Sequence, residues 1–371
     1  MRVFRTDSAS LHRALVGVGG IGTGSFFELE GNQTLGRNES RPGRLLDVRD
    51  YCKLHIVTHY VAKLLGAGPG QSEFHIVPIG KVGADAPGQS VRVQMQEVGM
   101  DTRFITTVDG KPTLFSVCFQ YPDGSGGNIT TSNSAAAELS SEDVDAAAGL
   151  FGAGGRATIA LAVPEVPLDV RCHLLAVARG AGAFCTASFV SGEILSAKQH
   201  GMFQVLDLVA LNESEAAEFV DCPLLRDAPE PFITECLSLI SRSYPGLRLI
   251  VSAGERGAYG FSRGVWNFCP APAVRVCSTA GAGDALFGGV ISALATGMPF
   301  VKPGLQRARL DQGDLSTALE FGVMLASYTV ASPHTIHPDA CLEAVLEFSA
   351  GYGASFAPEF RARLLDKEVR T

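Results

Sequence analysis

The most informative part of this sequence is Ser278-Thr279-Ala280-Gly281-Ala282-Gly283-Asp284, which continues into Ala285-Leu286-Phe287-Gly288-Gly289. Small residues allow backbone N–H groups to approach an anion closely, and a helix N-terminus adds partial positive charge at the same place. The spacing predicts a helix from Ala285 to Ala295, directly after the small residues. An acid there would repel a phosphate unless it removes a proton from a hydroxyl that attacks the phosphorus. The segment therefore predicts one half of a phosphoryl-transfer site.

Upstream of this segment, short apolar strands alternate with helical patterns. Strands are predicted over 158–163, 183–187, 206–211 and 247–251, and helices over 168–178 and 232–242. Such alternation is typical of a parallel sheet with helices on both faces, here within one α/β domain over residues 1–371. Ligands bind at the carboxyl ends of the strands in these sheets. Asn212 and Ser252 each follow a predicted strand, which places both at that edge.

Residues 100–133 have a different pattern, rich in β-branched and aromatic residues. Two strands are predicted, over 104–108 and 113–121, with turns at 109–110 and 123–124. We expect these strands to be antiparallel and to lie outside the parallel sheet. Residues 24–50 are polar and rich in Gly, Arg and Asn, and we expect them to complete the same small unit or to be mobile.

An ordered set of motifs closely resembles the ribokinase-like (PfkB) family of sugar and nucleoside kinases. The motifs are Gly80-Lys81-Val82-Gly83-Ala84-Asp85-Ala86-Pro87-Gly88, Lys111-Pro112-Thr113, Asn212-Glu213-Ser214-Glu215, Ser252-Ala253-Gly254-Glu255-Arg256-Gly257-Ala258 and the segment 278–284. Each motif alone is a weak indication, but together they span nearly the whole chain. The resemblance implies a ribokinase-like three-layer α/β/α fold with a mostly parallel central sheet. It also implies a small β lid formed by about residues 22–50 and 100–133.

The resemblance also implies a role for individual residues. Asp284 would be the catalytic base, and the anion hole would be formed by the backbone amides of Ala280, Gly281, Ala282 and Gly283. ATP would be bound by Ser252, Gly254, Gly257 and Thr279, and Mg²⁺ would be held, through water, by Asn212 and Glu215. The acceptor, a sugar or sugar-like molecule, would lie near Gly22, Thr113 and Asp284. The implied activity is ATP-dependent phosphorylation of an acceptor hydroxyl.

The acceptor side of the pattern departs from the family. Gly22 stands where relatives carry an Asp that binds sugar hydroxyls, and Lys53, His55 and Thr58 stand in a stretch where relatives carry Gly-Gly and Asn. A buried hydroxyl without a partner costs about 1–3 kcal/mol, so these changes should alter which acceptor is accepted. Either other polar residues replace the missing ones, or the substrate is not an ordinary sugar. The replacement candidates are Asn32, Asn38, Arg103 and Asn128.

A second departure concerns cations. Ser278 stands at the first position of the segment, where the family usually has an Asp that helps to hold a monovalent cation. The sequence therefore gives little support for activation by such a cation.

Other functions remain open at this point. The acceptor could be a nucleoside, or the protein could be a catalytically idle family member that binds a nucleotide or metabolite. A dinucleotide oxidoreductase would rest only on Gly17-x-Gly19-x-x-Gly22, without the acidic residue expected after a second strand. Asp284 alone could equally be a helix-capping acid, since Asp is favoured there.

Several charged and titratable residues have simpler interpretations. Lys81 and Arg256 could contact phosphates, although a solvated surface charge is the usual role. Arg307 is predicted on a solvated face, and His55 and His59, spaced by four, are predicted to be structural because no third metal ligand is evident.

Composition narrows the class of protein further. Among 371 residues, 46% are hydrophobic, which is enough for a sizeable core, and the net charge of −8 argues against a nucleic-acid partner. The nine scattered cysteines form no Cys-x-x-Cys pair, and neither a signal peptide nor an apolar run of about 18 residues is evident. We therefore expect a cytoplasmic protein without a membrane partner, with a homodimer through the lid as one possible assembly.

Overall fold

The computed structural model describes residues 2–5, 11–67, 74–123, 125–154 and 157–366. Its strands are β1 (Arg2–Phe4), β2 (Ala14–Val18), β3 (Gly22–Leu29), β4 (Gly43–Tyr51), β5 (His75–Gly83), β6 (Ile105–Val108), β7 (Leu114–Gln120), β8 (Gly126–Thr130), β9 (Thr158–Ala162), β10 (Phe184–Ser188), β11 (Leu208–Asn212), β12 (Arg248–Ser252), β13 (Gly257–Ser262), β14 (Val265–Pro270) and β15 (Leu364–Asp366).

The α-helices of the described residues alternate with these strands. They are α1 (Lys53–Leu65), α2 (Ala86–Glu97), α3 (Ser141–Ala147), α4 (Gly149–Gly154), α5 (Leu168–Gly180), α6 (Ile194–Gln199), α7 (Met202–Val205), α8 (Glu213–Val220), α9 (Glu230–Ser243), α10 (Ala282–Ala295), α11 (Ala318–Thr329), α12 (Leu342–Gly351) and α13 (Pro358–Arg361).

A nine-stranded sheet forms the centre of the molecule, in the order β14-β13-β12-β11-β10-β9-β2-β5-β6. Pairing is parallel from β12 to β6 and antiparallel at β12-β13-β14. Successive strand side chains point to opposite faces. Accordingly, Leu15 packs in one apolar cluster with Leu286 and Leu325, whereas Val16 packs in a second cluster with Leu174 and Phe219. The helices thus cover both faces, and the predicted three-layer fold is confirmed.

A separate four-stranded sheet, in the order β4-β3-β7-β8, lies where the lid was predicted, and we call it the lid. The sequence left open whether residues 24–50 belong to the lid or are mobile. In the structure they supply most of β3 and β4. The predicted antiparallel pairing of 104–108 with 113–121 is wrong. The strand β6 instead pairs parallel with β5 at the edge of the main sheet, and β7 pairs parallel with β3 and antiparallel with β8.

The cause of this difference lies on both sides of the Asp109-Gly110 turn. Ile105 is buried in the main core, which keeps β6 on the central sheet. Beyond the turn, Thr113 is held by Asp85, whose carboxylate accepts from the Thr113 amide at 2.8 Å. That contact turns the chain away from a hairpin and into the lid.

The helix α10 packs closely against α1 and α11 at two glycines in its middle, Gly288 and Gly289. A Cβ at Gly288 would come within 3.1 Å of the Val57 carbonyl oxygen, and one at Gly289 within 3.0 Å of the Gly322 Cα. This close packing fixes the position of the α10 N-terminus. Among the described residues, no helix combines the length and apolar character that crossing a membrane requires.

Candidate active site

The segment 278–284 forms the loop and first turn of α10. Gly281 precedes the helix with φ +77, and a Cβ there would lie 2.2 Å from the Thr335 carbonyl oxygen, so both its conformation and its space require glycine. Asp284 is the third residue of the helix and is buried. Burial raises the pKa of the Asp284 carboxyl, and the charge of Lys53 opposes that rise.

Two further charged residues meet Asp284. The Lys53 ammonium lies 3.5 Å from Asp284 Oδ1, and the Lys53 backbone amide donates to Glu165 Oε2 at 3.1 Å. Burial raises the pKa of Glu165 to about 7, against the opposing effect of Lys53. The nearby Asp284 carboxylate is the main reason that the pKa of Lys53 is raised. The start of α1, the loop after β9 and the start of α10 therefore meet at one charged cluster.

Sequence reasoning named Lys53 only as a departure from the family pattern, and it missed Glu165 and Asp50. Glu165 follows a strand at its carboxyl end, where ligands bind in such sheets, so its position was a usable signal. Asp50 gave no comparable signal, because it lies near the end of a lid strand that carries other charged residues, Arg44, Asp47 and Arg49.

The four backbone amides predicted to form the anion hole differ in their hydrogen bonding. Ala280 N–H donates to Ser278 Oγ at 3.2 Å, and Ala282 N–H donates to the Thr279 carbonyl at 3.3 Å. Within the described chain, the amides of Gly281 and Gly283 have no hydrogen-bond partner, as expected for the unsatisfied first turn of a helix. Ser278, which replaces the usual Asp, therefore holds the loop by accepting from Ala280.

A cavity of about 280 Å³ lies between the lid and the α10 N-terminus, and we call it the acceptor cavity. Its base is formed by Asp284 with Thr279, Ala280 and Gly281. Its polar walls are formed by Asp50, Lys53, Ser116, Cys118, Asn128 and Glu165. Of the replacement candidates predicted for the missing polar groups, Asn128 lines this cavity.

The remaining acceptor-side candidates lie elsewhere. The Asn32 side chain accepts from the Asp123 amide, and exposed Arg103 binds Asp101. Asn38 is exposed, and it has the positive φ of 61. None of these three residues lines the acceptor cavity.

Gly22 and Thr113 were also placed near the acceptor, but neither lines the acceptor cavity. Gly22 pairs with Leu114 in the lid sheet, and a Cβ there would lie 2.0 Å from the Leu114 carbonyl oxygen. The buried Thr113 hydroxyl donates to Asp85 and accepts from the Gly83 amide. The structure thus places both residues in the framework behind the cavity.

A second, more apolar cavity of about 610 Å³ lies on the other side of the same turn, and we call it the nucleotide cavity. Its lining includes Ser252, Gly254, Gly257, Thr279, Ala282 and Gly283. Gly257 has φ +121, and a Cβ there would lie 2.0 Å from the Cys269 carbonyl oxygen. Thr279 lines both cavities, so the α10 N-terminus lies between them.

Asn212 and Glu215 form a reciprocal cap at the start of α8. Asn212 Oδ1 accepts from Glu215 N–H at 2.9 Å, and Glu215 Oε2 accepts from Asn212 N–H at 2.9 Å. Glu215 Oε1 accepts from the Asn212 side-chain amide at 2.7 Å, so both carboxylate oxygens are already hydrogen-bonded. Among the described residues, no three His, Cys, Asp or Glu side chains form a metal cage. Because both carboxylate oxygens already accept hydrogen bonds, an Mg²⁺ ion at this pair would have to be held through water, and its binding here stays a prediction.

The other charged residues of the sequence motifs are not at this turn. Lys81 pairs with Asp143 at 2.8 Å, and Arg256 pairs with Glu213 at 2.8 Å. Arg307 is buried rather than solvated, because it pairs with Glu320 and donates to the carbonyls of residues 312–314.

The histidines and the glycine motif of β2 have structural placements. His55 and His59 are packed on α1, and burial lowers the pKa of their imidazoles to about 3 and about 4. The oxidoreductase interpretation of Gly17-x-Gly19-x-x-Gly22 is wrong, since Gly22 begins the lid strand β3 rather than a helix.

Comparison with known proteins bears directly on this arrangement. The model of the pfkB family carbohydrate kinases matches residues 58–340. The chain belongs to this family. A search of curated proteins found no match.

Solved structures share the fold of this pfkB-family chain. A ribokinase from Cryptococcus neoformans var. grubii serotype A, in complex with ADP, has a TM-score of 0.70 at 20% identity, covering 91% of this chain and 99% of its own. The Giardia lamblia ribokinase has a TM-score of 0.71 at 15% identity, with 90% and 98% covered. The Burkholderia thailandensis nucleoside kinase in complex with inosine has a TM-score of 0.68 at 17% identity, with 91% and 98% covered. These similarities show the ribokinase-like fold.

Proposed function

We propose that this protein transfers the γ-phosphoryl group of ATP to a hydroxyl of a sugar or sugar-like molecule. The observation that carries the proposal is the position of the α10 N-terminus between two cavities, with Thr279 lining both. A donor on one side and an acceptor on the other would meet at this turn. The ADP and ATP bound by ribokinases of the same fold support ATP as the donor.

Asp284 would act as the base. Its carboxylate lines the acceptor cavity and lies in the first turn of α10, beside the amides that would face the phosphoryl group. Proton transfer to a positioned carboxylate contributes about 10²–10⁴-fold in rate. Lys53 would keep this carboxylate ionised despite its burial, because its positive charge favours the deprotonated form.

The amides of Gly281 and Gly283 would stabilise the charge on the transferred group. They have no hydrogen-bond partner within the described chain, and the helix N-terminus adds its partial positive charge. Ala280 and Ala282 would have to exchange their present partners to contribute. Mg²⁺, positioned through water by Asn212 and Glu215, would neutralise phosphate charge when bound.

The lid would exclude water. The strands β7 and β8 line the acceptor cavity through Ser116, Cys118 and Asn128, so a bound acceptor would be enclosed between the lid and α10. Enclosure matters because an open site would allow water to accept the phosphoryl group.

A nucleoside is the second candidate acceptor. A larger cavity of about 770 Å³ adjoins the acceptor cavity and shares Lys53, Asn128 and Glu165 with it, so a larger molecule could extend there. The nucleoside kinase of the same fold, solved with inosine, supports this alternative.

The lid sheet also carries exposed apolar side chains on its outer strands. Ile129 is 70% exposed and Leu45 is 61% exposed, on the outer strands β8 and β4. We propose a homodimer through this face, since large apolar groups on an open sheet favour association.

The activity is tested by ADP release from ATP and Mg²⁺ with a panel of pentoses, hexoses and nucleosides. We expect ADP release with at least one acceptor and only slow release without any. ATP-dependent thermal stabilisation without turnover on any acceptor would favour an idle nucleotide-binding protein instead.

A further inference from the structure

Gly22 stands where relatives carry an Asp that binds acceptor hydroxyls. Two carboxylates from other elements of the fold lie beside this position. A Cβ at Gly20 would lie 2.4 Å from Glu165 Oε2, and a Cβ at Gly24 would lie 2.0 Å from Asp50 Oδ2. The two acids can approach the chain on either side of Gly22 because Gly20 and Gly24 have no side chains there. The acids come from the end of β4 and from the loop after β9.

Asp50 is held at the lid wall of the acceptor cavity. Its Oδ2 accepts from Ser116 Oγ at 2.6 Å and lies 3.4 Å from Cys118 Sγ. Asp50 is 5% exposed, and the described residues provide it with no salt bridge. Burial raises the pKa of the Asp50 carboxyl, and the hydrogen bond from Ser116 opposes that rise. Burying a carboxyl at a cavity wall without a cation costs free energy, which indicates a task beyond stability.

Glu165 is held by the backbone of the loop after β9. It has the positive φ of 75, which is uncommon for a residue other than glycine, and its Oε2 accepts from the Lys53 amide. Both features aim its carboxylate at the space above Gly20, beside Asp284.

The charges of the cavity decide which acceptors fit. Among the residues that the structure describes, its lining contains three acids, Asp50, Glu165 and Asp284, and one cation, Lys53, which lies beside Asp284. A phosphate or carboxylate on the acceptor would face these acids without a free cation. Hydroxyl groups, by contrast, can donate to carboxylate oxygens.

We propose that Asp50 and Glu165 together replace the missing first-strand acid, bind acceptor hydroxyls from two sides, and restrict the acceptor to uncharged polyols. This inference rests on the proposed kinase activity and specifies the substrate class for the same site.

The test compares wild type with Asp50→Asn and Glu165→Gln on matched acceptors. The panel contains neutral pentoses and hexoses, each beside its terminal phosphate and its aldonate, with ADP release as the readout. The matched controls are Asp47→Asn on the same strand as Asp50 and Asp169→Asn shortly after Glu165, both at exposed positions. If Asp50→Asn does not fold, Ser116→Ala removes the hydroxyl that holds the Asp50 carboxylate.

We expect wild type to prefer the neutral member of each set by at least about 10-fold. Each site variant should raise KM for the neutral acceptor by roughly 10- to 100-fold, as expected for a lost charged hydrogen bond, with KM for ATP unchanged. Preference for a phosphate or aldonate, or unchanged acceptor KM in the site variants, would overturn the inference. In that case the kinase activity would still be supported if wild type releases ADP with an acceptor and Asp284→Asn does not. Absence of turnover with every acceptor would instead remove the kinase proposal and this inference with it.

Discussion

Lys53 Nζ lies 3.5 Å from Asp284 Oδ1, which links the first residue of α1 to the first turn of α10. Burial raises the pKa of Asp284, and the Lys53 charge lowers it. The same lysine also lowers the pKa of Glu165. One ammonium group therefore opposes the effect of burial on the pKa of two acids in the acceptor cavity.

The first prediction concerns this lysine. Lys53→Met should raise the pKa of Asp284, so the fraction of ionised base falls at neutral pH. We expect lower kcat/KM at pH 7 and an acidic limb of the pH–rate profile that moves to higher pH. Steady-state ADP release from pH 5.5 to 9 measures both.

Two variants separate charge from packing at this position. Lys53→Arg keeps the positive charge and should bring the acidic limb of the pH–rate profile part of the way back to its wild-type position. Lys63→Met removes a lysine from the last turn of the same helix and should leave the pH–rate profile unchanged. An acidic limb that stays in place in Lys53→Met would show that the lysine does not control the base.

The second prediction concerns the base. Asp284→Asn removes proton acceptance at nearly constant size, so transfer should fall by about 10²–10⁴-fold. The fold should persist, because the buried site already disfavours the charged form. Circular dichroism and ATP-dependent thermal shift check folding and donor binding, with Asp109→Asn in an exposed turn as control. Turnover near that of wild type would contradict the proposed role.

The third prediction distinguishes two glycines of the same turn. Gly281→Ala should destabilise the protein by roughly 1–3 kcal/mol, because φ is +77 and the Thr335 carbonyl occupies the space. Gly283→Ala should leave stability nearly unchanged, since no atom lies within 4 Å of its Cβ position. The new methyl group would, however, enter the nucleotide cavity that Gly283 lines.

Thermal unfolding and ATP kinetics give the measurement for this pair. Gly283→Ala should raise KM for ATP or lower kcat while the melting temperature stays close to that of wild type. Equal loss of stability in the two variants would contradict the structural distinction.

The sequence predicted four neighbouring strands of the central sheet, β9 to β12, because each is a short and largely apolar run. The strand predicted over 158–163 is observed at Thr158–Ala162, and the one over 247–251 at Arg248–Ser252. The strand β6 was assigned to the wrong sheet. It pairs with β5 because Ile105 is buried in the main core and because Asp85 binds Thr113 just beyond the turn. Those contacts join residues 28 positions apart and leave no local pattern.

The same distinction holds at the site. The α10 segment was recognisable because backbone geometry demands small residues there, as Gly281 shows. Lys53 was not recognisable, because its role depends on Glu165 and Asp284, which lie 112 and 231 residues away and meet it only in the fold. The position of Glu165 after β9 was a usable signal, but its contact with Lys53 was not. Arg307 was misplaced on the surface for the same reason, since its partner Glu320 lies on α11.

The fourth prediction concerns assembly through the lid. Ile129→Glu puts a charge on the exposed apolar face and should convert a dimer to a monomer, measured by light scattering after gel filtration. Leu195→Glu is the control, because Leu195 is 60% exposed on α6, outside the lid. A monomeric wild type, or a dimer that persists in Ile129→Glu, would contradict association through this face.

The last prediction concerns stability and pH. Burial raises the pKa of Glu165 from 4.5 to about 7, so the folded state holds this proton more tightly than the unfolded state. The stability that the protonated carboxyl contributes is complete below about pH 4.5 and is lost as pH rises through about 7. Glu165→Gln keeps an oxygen that can accept from the Lys53 amide and removes the titration. Its melting temperature relative to wild type should therefore increase between pH 5 and pH 8, by on the order of 2 °C per kcal/mol. Glu218→Gln, at an exposed position on α8, should show no such trend. A difference between Glu165→Gln and wild type that is constant across this range would mean that Glu165 titrates alike in the folded and unfolded chain.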